Sequence, residues 1–403
     1  MIQITDKAKC CGCTACVSAC PKHCIKMCSD QEGFLYPEVE KDACVDCGLC
    51  EKKCPVFNSP VNHEISSAYI VRNKDIDIVK KSSSGGFFDA LCKIVTEHNG
   101  VVIGAAFTED FSVHHECAET LEHCQKFYGS KYVQSNLENV FCQTKNYLMS
   151  GKLVCFSGTP CQVAGLKQYL EKDYENLILV DLVCHGVPSP LLWKKYLNMM
   201  ESRYNSKVKK VNFRSKKYGY QSSSMNLKFD NKMEYFGSAR IDAMLKSFYS
   251  DIALRPICYK CPFKGKDRPA DITIYDCWHG ASILGTHDDD LGYTSVLVRG
   301  SKGSNIVEQL EQYVVLNKKP IDRVVPINGG MLVSCAKKHE KRNEFYNDVN
   351  EEGLEKAFDK FLPVTKKDYI VEKIKAILSS TGLLHKISRT IKLLKKQVEK
   401  LKS

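Results

Sequence analysis

The chain contains no run of 18 or more apolar residues, the length at which an apolar stretch reads as a membrane span, so no spanning helix is expected. Its first residues, MIQITDKAKC, hold neither an apolar signal region nor a small-residue cleavage site. The body of the chain also lacks a charge of one sign. The net charge is +11, but residues 1–59 hold 7 Lys/Arg against 8 Asp/Glu, and residues 366–402 hold 11 against 3. The basic character therefore belongs to a tail, and no nucleic-acid partner is expected. A Cys-x3-Cys-x2-Cys run, the iron–sulfur pattern of radical S-adenosylmethionine chemistry, is absent.

Cysteine is abundant instead, with 22 in 403 residues, and Cys10, Cys11, Cys13, Cys16, Cys20, Cys24, Cys28, Cys44, Cys47, Cys50 and Cys54 fall in the first 54 positions. A large cysteine-rich chain without an export signal points to a reducing, cytoplasmic compartment, where thiols bind metal rather than pair. Cys10-x2-Cys13-x2-Cys16-x3-Cys20-Pro21 is followed by Cys44-x2-Cys47-x2-Cys50-x3-Cys54-Pro55. Both runs match the spacing of a two-cluster ferredoxin, in which the fourth cysteine of each run ligates the other cluster. The expected ligand sets are Cys10, Cys13, Cys16 and Cys54 for one 4Fe-4S cluster, and Cys44, Cys47, Cys50 and Cys20 for the second. A zinc ribbon needs only two knuckles, and eight cysteines in two identical runs exceed that. Cys11, Cys24 and Cys28 fall outside the repeat and read as small buried fillers.

Asn58-Ser59-Pro60 reads as a linker. Beyond it, Ala68–Val71 and Val101–Phe107 are expected strands. Between them a turn, Ser82-Ser83-Ser84-Gly85-Gly86, opens a helix with Phe87, Leu91, Ile94 and Val95 on one face. Such a turn either offers free backbone amides to an anion such as a cofactor pyrophosphate or is simply capped by Ser84. Strand, turn and helix then repeat twice. Leu153–Phe156 runs through Ser157-Gly158-Thr159-Pro160 to a helix from Cys161, and Leu177–Val183 runs through Cys184-His185-Gly186-Val187-Pro188 to Ser189–Met200. This is the pattern of a parallel sheet, whose ligands gather beyond the carboxyl ends of the strands, where Cys161 and Cys184 would both sit. Cys258-x2-Cys261 is a further knuckle, so Cys161, Cys184, Cys258 and Cys261 offer a third four-cysteine site. The choices are a third 4Fe-4S cluster, zinc, or a redox pair. Cys92, Cys117, Cys124, Cys142, Cys155 and Cys335 read as structural.

At this point the sequence resembles the beta-subunit family of coenzyme F-420 hydrogenases and dehydrogenases, with a two-cluster ferredoxin in front of the core. The resemblance is carried by Ser83-Ser84-Gly85-Gly86, Gly129-Ser130-Lys131-Tyr132-Val133-Gln134-Ser135, Gly158-Thr159-Pro160-Cys161-Gln162, Cys184-His185-Gly186, Phe213-Arg214-Ser215-Lys216, Cys258-x2-Cys261 and the stretch Ala270–Trp278. It implies FAD beside a core 4Fe-4S cluster. Ser83, Ser84, Gly85, Gly86, Gly129, Ser130, Lys131 and Tyr132 then become flavin contacts, with Asp276 as a ribose ligand or turn cap. The family commonly has Gly-Asp where this chain has Tyr275-Asp276, and a tyrosine there would crowd or restack the cofactor. Family members also occur in bacteria beside polysaccharide-synthesis enzymes, so the hydride partner, deazaflavin or another organic substrate, stays open.

The expected architecture is an α+β ferredoxin-like two-cluster domain (1–59), then an α/β flavoprotein core with a parallel or mixed sheet in two parts (60–150 and 151–336), then a helical basic tail (337–403). The expected activity is that of an iron–sulfur flavoprotein oxidoreductase. Electrons would pass between a carrier protein such as ferredoxin, or a partner oxidoreductase, the clusters and FAD, with hydride exchanged at the flavin. Lys131 would stabilise negative charge and His185 would relay a proton. The rival reading is an electron-relay subunit docked on a partner enzyme, with no substrate of its own. Ile370, Ile374, Ile377, Leu378, Leu384, Ile387, Ile391, Leu394, Val398 and Leu401 recur at helical spacing among lysines. Two basic amphipathic helices, broken near Ser379–Gly382, would pack on the domain or lie on the inner face of an anionic membrane.

Overall fold

The computed structural model describes residues 1–380. Its thirteen strands, in chain order, are β1 (Ile25–Ser29), β2 (Leu35–Val39), β3 (Ser67–Asn73), β4 (Val101–Phe107), β5 (Val113–Ala118), β6 (Val154–Gly158), β7 (Leu177–Leu182), β8 (Val208–Asn212), β9 (Ser224–Phe229), β10 (Glu234–Ser238), β11 (Ile272–Asp276), β12 (Thr294–Val298) and β13 (Val314–Lys319). Eight form one sheet in the order β13-β3-β12-β11-β7-β6-β4-β5. The central run β4, β6, β7 and β11 is parallel, and β5, β12, β3 and β13 join antiparallel, so the sheet is mixed. It draws on both expected parts of the core.

Alternation along the parallel strands explains why they are apolar throughout. Val102, Cys155, Ile178 and Val180 face the helix Phe87–Glu97. Val101, Ile103, Val154, Phe156, Leu177 and Leu179 face Phe141, Val163 and Leu166 on the helices Val140–Met149 and Pro160–Leu170. A strand covered on both faces needs apolar residues at every position. Cys161 opens the helix that follows β6 and Cys184 sits in the loop after β7, beyond the ends of neighbouring strands as the repeat implied.

The N-terminal region is a β1–β2 hairpin flanked by two one-turn helices, Ala15–Ser18 and Leu49–Lys52. Phe34 and Tyr36 of this hairpin are buried in the same apolar cluster as Trp193, Tyr196 and Phe345. Arg342 grips Glu32 through both guanidinium nitrogens at 2.7 and 2.5 Å. The first part of the expected tail also differs from a tail. The helices Arg342–Glu351 and Leu354–Phe361 bury Phe345, Tyr346, Val349, Ala357 and Phe358 against the helix Pro190–Tyr204, because those aromatics supply an apolar face that the lysine count conceals. The helix Lys366–Ser380 is fixed by Glu372, which accepts from Ser238 N and Oγ at 2.8 and 2.6 Å. The expected second tail helix lies outside the described residues. Among the described residues no helix is long and apolar enough to cross a membrane.

Candidate functional site

The two cysteine runs fold alike. In each, the residue before the second cysteine takes a left-handed backbone (Gly12 φ 71°, Asp46 φ 49°), and so does the residue after it (Thr14 φ 60°, Gly48 φ 69°). A one-turn helix follows and carries the third cysteine. Cysteines of the two runs approach one another, although Cys47 stays exposed. Cys16 lies within electrostatic reach of Cys10, Cys54 and Cys50, Cys13 of Cys16 and Cys54, and Cys54 of Cys10 and Cys50. Cys20 instead lines one cavity with Cys44, Cys47 and Cys50. Burial pushes the Cys16 and Cys54 thiols up, so these sulfurs become thiolates only against a compensating cation, as metal ligands do. Thr14 Oγ1 and Gln134 Nε2 are buried without a partner next to the Cys10–Cys16 loop. Sulfide and thiolate acceptors would satisfy such donors, and in this respect the residues fit a cluster. Among the described residues no three His, Cys, Asp or Glu side chains converge as ligands of one metal ion; a cube of iron and sulfide holds its cysteines further apart than a single ion does.

Cys24, expected as a filler, lines the same cavity with its Sγ 3.4 Å from that of Cys20. Cys47 on the same cavity is exposed.

The core cysteines also gather. Cys161 occupies the first turn of its helix, where Thr159 and Gln162 form a reciprocal cap. Cys184 lies within electrostatic reach of Cys258, Cys161 and Cys261. Burial raises the Cys258 thiol to about 12 and the Cys261 thiol to about 11. Lys264 Nζ donates to the Cys184 carbonyl at 2.6 Å and holds that loop. Two cysteines read as structural border this group. Cys335 is a charge neighbour of Cys261, and Cys11 is a charge neighbour of Cys161. Since Cys11 separates Cys10 from Gly12 and Cys13, the first N-terminal group and the core group touch.

A third concentration of polar side chains lies nearby. Ser130 donates from N and Oγ to Ser83 Oγ at 3.0 and 3.1 Å, which joins the two segments expected to contact a flavin. Lys131 Nζ donates to the carbonyls of Tyr128 and Gly129, both at 3.3 Å, and burial lowers its pKa to about 7. Arg214 Nη1 donates to Tyr132 Oη at 3.1 Å and to Asp276 Oδ2 at 2.8 Å, while its Nη2 is buried without a partner. Tyr220 donates to Asp276 Oδ1 at 3.2 Å and stacks on Trp278 at 4.8 Å. Lys216 donates to the carbonyls of Val79, Ser84 and Leu291, and burial lowers its pKa to about 8. A buried cation and an orphaned guanidinium nitrogen beside hydroxyls suit a phosphate-bearing cofactor.

Two expectations need correction. The Gly85 amide is not free for a phosphate, since it donates to Thr294 Oγ1 at 2.9 Å, and Ser84 Oγ pairs with the same hydroxyl at 2.8 Å. The turn is drawn against β3 and β12 so tightly that a Cβ on Gly85 would lie 2.5 Å from the Val71 carbonyl. Tyr275 does not crowd the polar cluster around Asp276. Neighbouring strand positions face opposite ways, and its ring packs with Ile70, Leu297 and Val325 on the other face of the sheet.

His185 Nε2 is 2.6 Å from Asp251 Oδ1, and its ring meets Phe248 edge-on at 5.0 Å. Phe248 stacks on Tyr132 at 4.3 Å. A continuous contact path therefore runs from Cys184 through His185, Phe248 and Tyr132 to Arg214. Sequence reasoning did not single out Phe248, Tyr220, Gln134 or Arg255. Arg214 and Gln134 lay in segments that carried the resemblance, but only as motif letters.

Residues 151–324 match the family model for the C-terminal part of the coenzyme F420 hydrogenase/dehydrogenase beta subunit. The N-terminal region is similar to ferredoxins. It is 38% identical over 66 residues to "Ferredoxin 7Fe" of Hydrogenibacillus schlegelii, covering 15% of this chain and 76% of that protein. It is 41% identical over 51 residues to pyruvate synthase subunit PorD of Methanothermobacter marburgensis, covering 13% of this chain and 53% of that one. Among solved structures, a chain of the F420-reducing [NiFe] hydrogenase complex from Methanosarcina barkeri superposes with a TM-score of 0.44 at 19% identity, over 74% of this chain and 94% of that chain.

Proposed function

Since this chain belongs to the coenzyme F420 hydrogenase/dehydrogenase beta-subunit family, with a ferredoxin-like N-terminal region, we propose that it is an iron–sulfur flavoprotein oxidoreductase linking a one-electron carrier protein to hydride chemistry on an organic substrate or a deazaflavin. The observation that carries this reading is the contact between cysteine groups. The Cys20, Cys44, Cys47 and Cys50 cavity reaches solvent at Cys47, Cys10, Cys13, Cys16 and Cys54 are buried, and Cys11 brings their loop within electrostatic reach of Cys161 of the core group. Three such groups in a row suit single-electron passage inward from a docked carrier.

When bound, 4Fe-4S clusters supply one-electron steps, and a flavin supplies the conversion between single electrons and hydride. The chain's own residues would do the rest. The eight N-terminal cysteines and Cys161, Cys184, Cys258 and Cys261 would hold the clusters. Ser83, Ser130, Tyr132, Arg214 and Asp276 would hold the flavin, with the free Arg214 Nη2 directed to an anionic oxygen. Lys131, with its pKa near neutrality, can hold or release a proton beside that site, and His185, paired with Asp251, can hold or release one beside Cys184. The second reading, a relay subunit without flavin, is favoured by one observation: the Gly85 amide is already engaged by Thr294.

The test is anaerobic purification with iron, sulfide and flavin quantified. About twelve irons, at four per cube, with one FAD per chain supports the proposal, and about eight irons without flavin leaves the relay. A His185→Ala variant with full turnover and an unchanged pH profile would remove the proton role of His185.

A further inference from the structure

Arg255 is 1% exposed, and among the described residues no carboxylate pairs with it. A buried guanidinium without a counter-charge is strongly disfavoured, so its surroundings must supply negative charge. Its donors all run to the N-terminal region or to Gln134. Nε reaches the Cys10 carbonyl at 2.8 Å, Nη2 the Leu35 carbonyl at 2.9 Å and the Cys10 Sγ at 3.6 Å, and Nη1 reaches Gln134 Oε1 at 3.0 Å. The faces of Tyr36 and Phe34 lie 4.1 and 5.5 Å away.

Gln134 completes the arrangement. Its Oε1 accepts from Arg255 and, at 3.5 Å, from the Leu35 amide, which directs Nε2 the other way. That Nε2 is buried without a partner and lies against the cysteine loop, since a Cβ on Gly12 would come within 2.4 Å of it and 3.2 Å of Arg255 Nη1. The backbone of Arg255 meanwhile holds the core cysteines. Its amide donates to the Val187 carbonyl at 3.0 Å, and its carbonyl accepts from Cys258 at 2.9 Å.

We propose that Arg255, oriented by Gln134, is a positioning residue that raises the reduction potential of the iron–sulfur cluster held at Cys10, Cys13, Cys16 and Cys54. The proposal rests on the functional reading above. Reduction adds one electron from the donor to that site, and no bond or proton moves. Arg255 favours the more negative state through its charge and its bond to the Cys10 sulfur, because charge-assisted donors strengthen as the acceptor gains charge. No arginine lines the Cys20, Cys44, Cys47 and Cys50 cavity, so that outer site is spared, whereas Arg255 also lies within electrostatic reach of Cys161 and Cys258 and a smaller shift in the same direction is expected at the core site. Removing Arg255 leaves the electron less favoured there.

The test is an anaerobic redox titration of the full chain followed by electron paramagnetic resonance, comparing the wild type with Arg255→Lys, Arg255→Met and Gln134→Leu. In Arg255→Met, one transition is expected to lose about tenfold in its reduction equilibrium, a fall of about 59 mV for one electron. Arg255→Lys keeps the charge and recovers more than half of that. Gln134→Leu moves the same transition downward by about threefold, and the transition of the Cys20, Cys44, Cys47 and Cys50 site stays in place in all three variants. The inference is overturned if no transition moves, or if all move together. If Arg255→Met fails to fold or loses iron, Gln134→Leu decides on the same criterion. Wild-type protein without iron overturns the functional reading, whereas full iron with unmoved midpoints overturns only the role of Arg255.

Discussion

Replacing Lys131 with Met should stabilise the chain below neutral pH and lose that advantage as pH rises. Burial takes this lysine from 10.5 to about 7. At 1.36 kcal/mol per pH unit, that difference corresponds to about 5 kcal/mol. The two carbonyl bonds and the Phe107 face at 5.4 Å return part of the loss, and the side chain keeps some solvent contact, so about 2–4 kcal/mol is the working figure. The direction follows from proton counting. Between pH 7 and 10.5 the unfolded chain holds the proton that the folded chain has released, so wild-type stability rises with pH across that window. Below pH 7 the full penalty applies. The Met variant carries no such charge, so its advantage is largest at pH 6 and declines steadily above pH 7. Urea denaturation under anaerobic conditions from pH 6 to 9.5, read as the difference between variant and wild type, measures this. A pH-independent difference, or a less stable Met variant at pH 6, refutes the reasoning. Added FAD should flatten the wild-type curve, because phosphate oxygens nearby would keep the ammonium charged.

Other perturbations have equally definite outcomes. Asp181 Oδ2 and Arg268 pair at 3.1 Å with 1% and 2% exposure, and Asp181 Oδ1 has no partner. Arg268→Leu should therefore cost about 3–5 kcal/mol, and the Asp181→Leu/Arg268→Leu double variant should regain most of it, as read by denaturant midpoints. Gly12→Ala meets both a left-handed backbone and the Gln134 amide; it should cost roughly 1–2 kcal/mol from the backbone alone and shift the same redox transition as Gln134→Leu. Glu372→Ala removes both bonds to Ser238, at about 1.5–3 kcal/mol for contacts to a charged acceptor, and limited proteolysis should then cut first within residues 362–380.

Much of the site was legible because its signal is local. Cys10 to Cys20 and Cys44 to Cys54 announce themselves by spacing, and the strands around Val154 and Leu177 by apolar runs between turn residues. The mixed character of the sheet was less visible. β3, β12 and β13 look like any buried strand, and only pairing partners far along the chain make them antiparallel. What escaped entirely was long-range. Arg255 meets Cys10 across 245 residues and Gln134 across 121, and nothing near either position marks a buried cation. Cys11 was set aside because it breaks the repeat, yet that offset turns its thiol toward Cys161. Tyr275 was misplaced for a simpler reason: one step along a strand reverses the face.

In the proposed ligand sets Cys54 joins Cys10, Cys13 and Cys16, and Cys20 joins Cys44, Cys47 and Cys50, and that sharing bears on biogenesis. Neither quartet can be completed from its own run: one waits for the ribosome to reach residue 50 and the other for residue 54. Iron delivery to a shorter nascent chain would find three sulfurs of a set at best. Maturation of the pair is thereby tied to nearly one moment, and a truncation anywhere between residues 20 and 49 should abolish both metal sites rather than one.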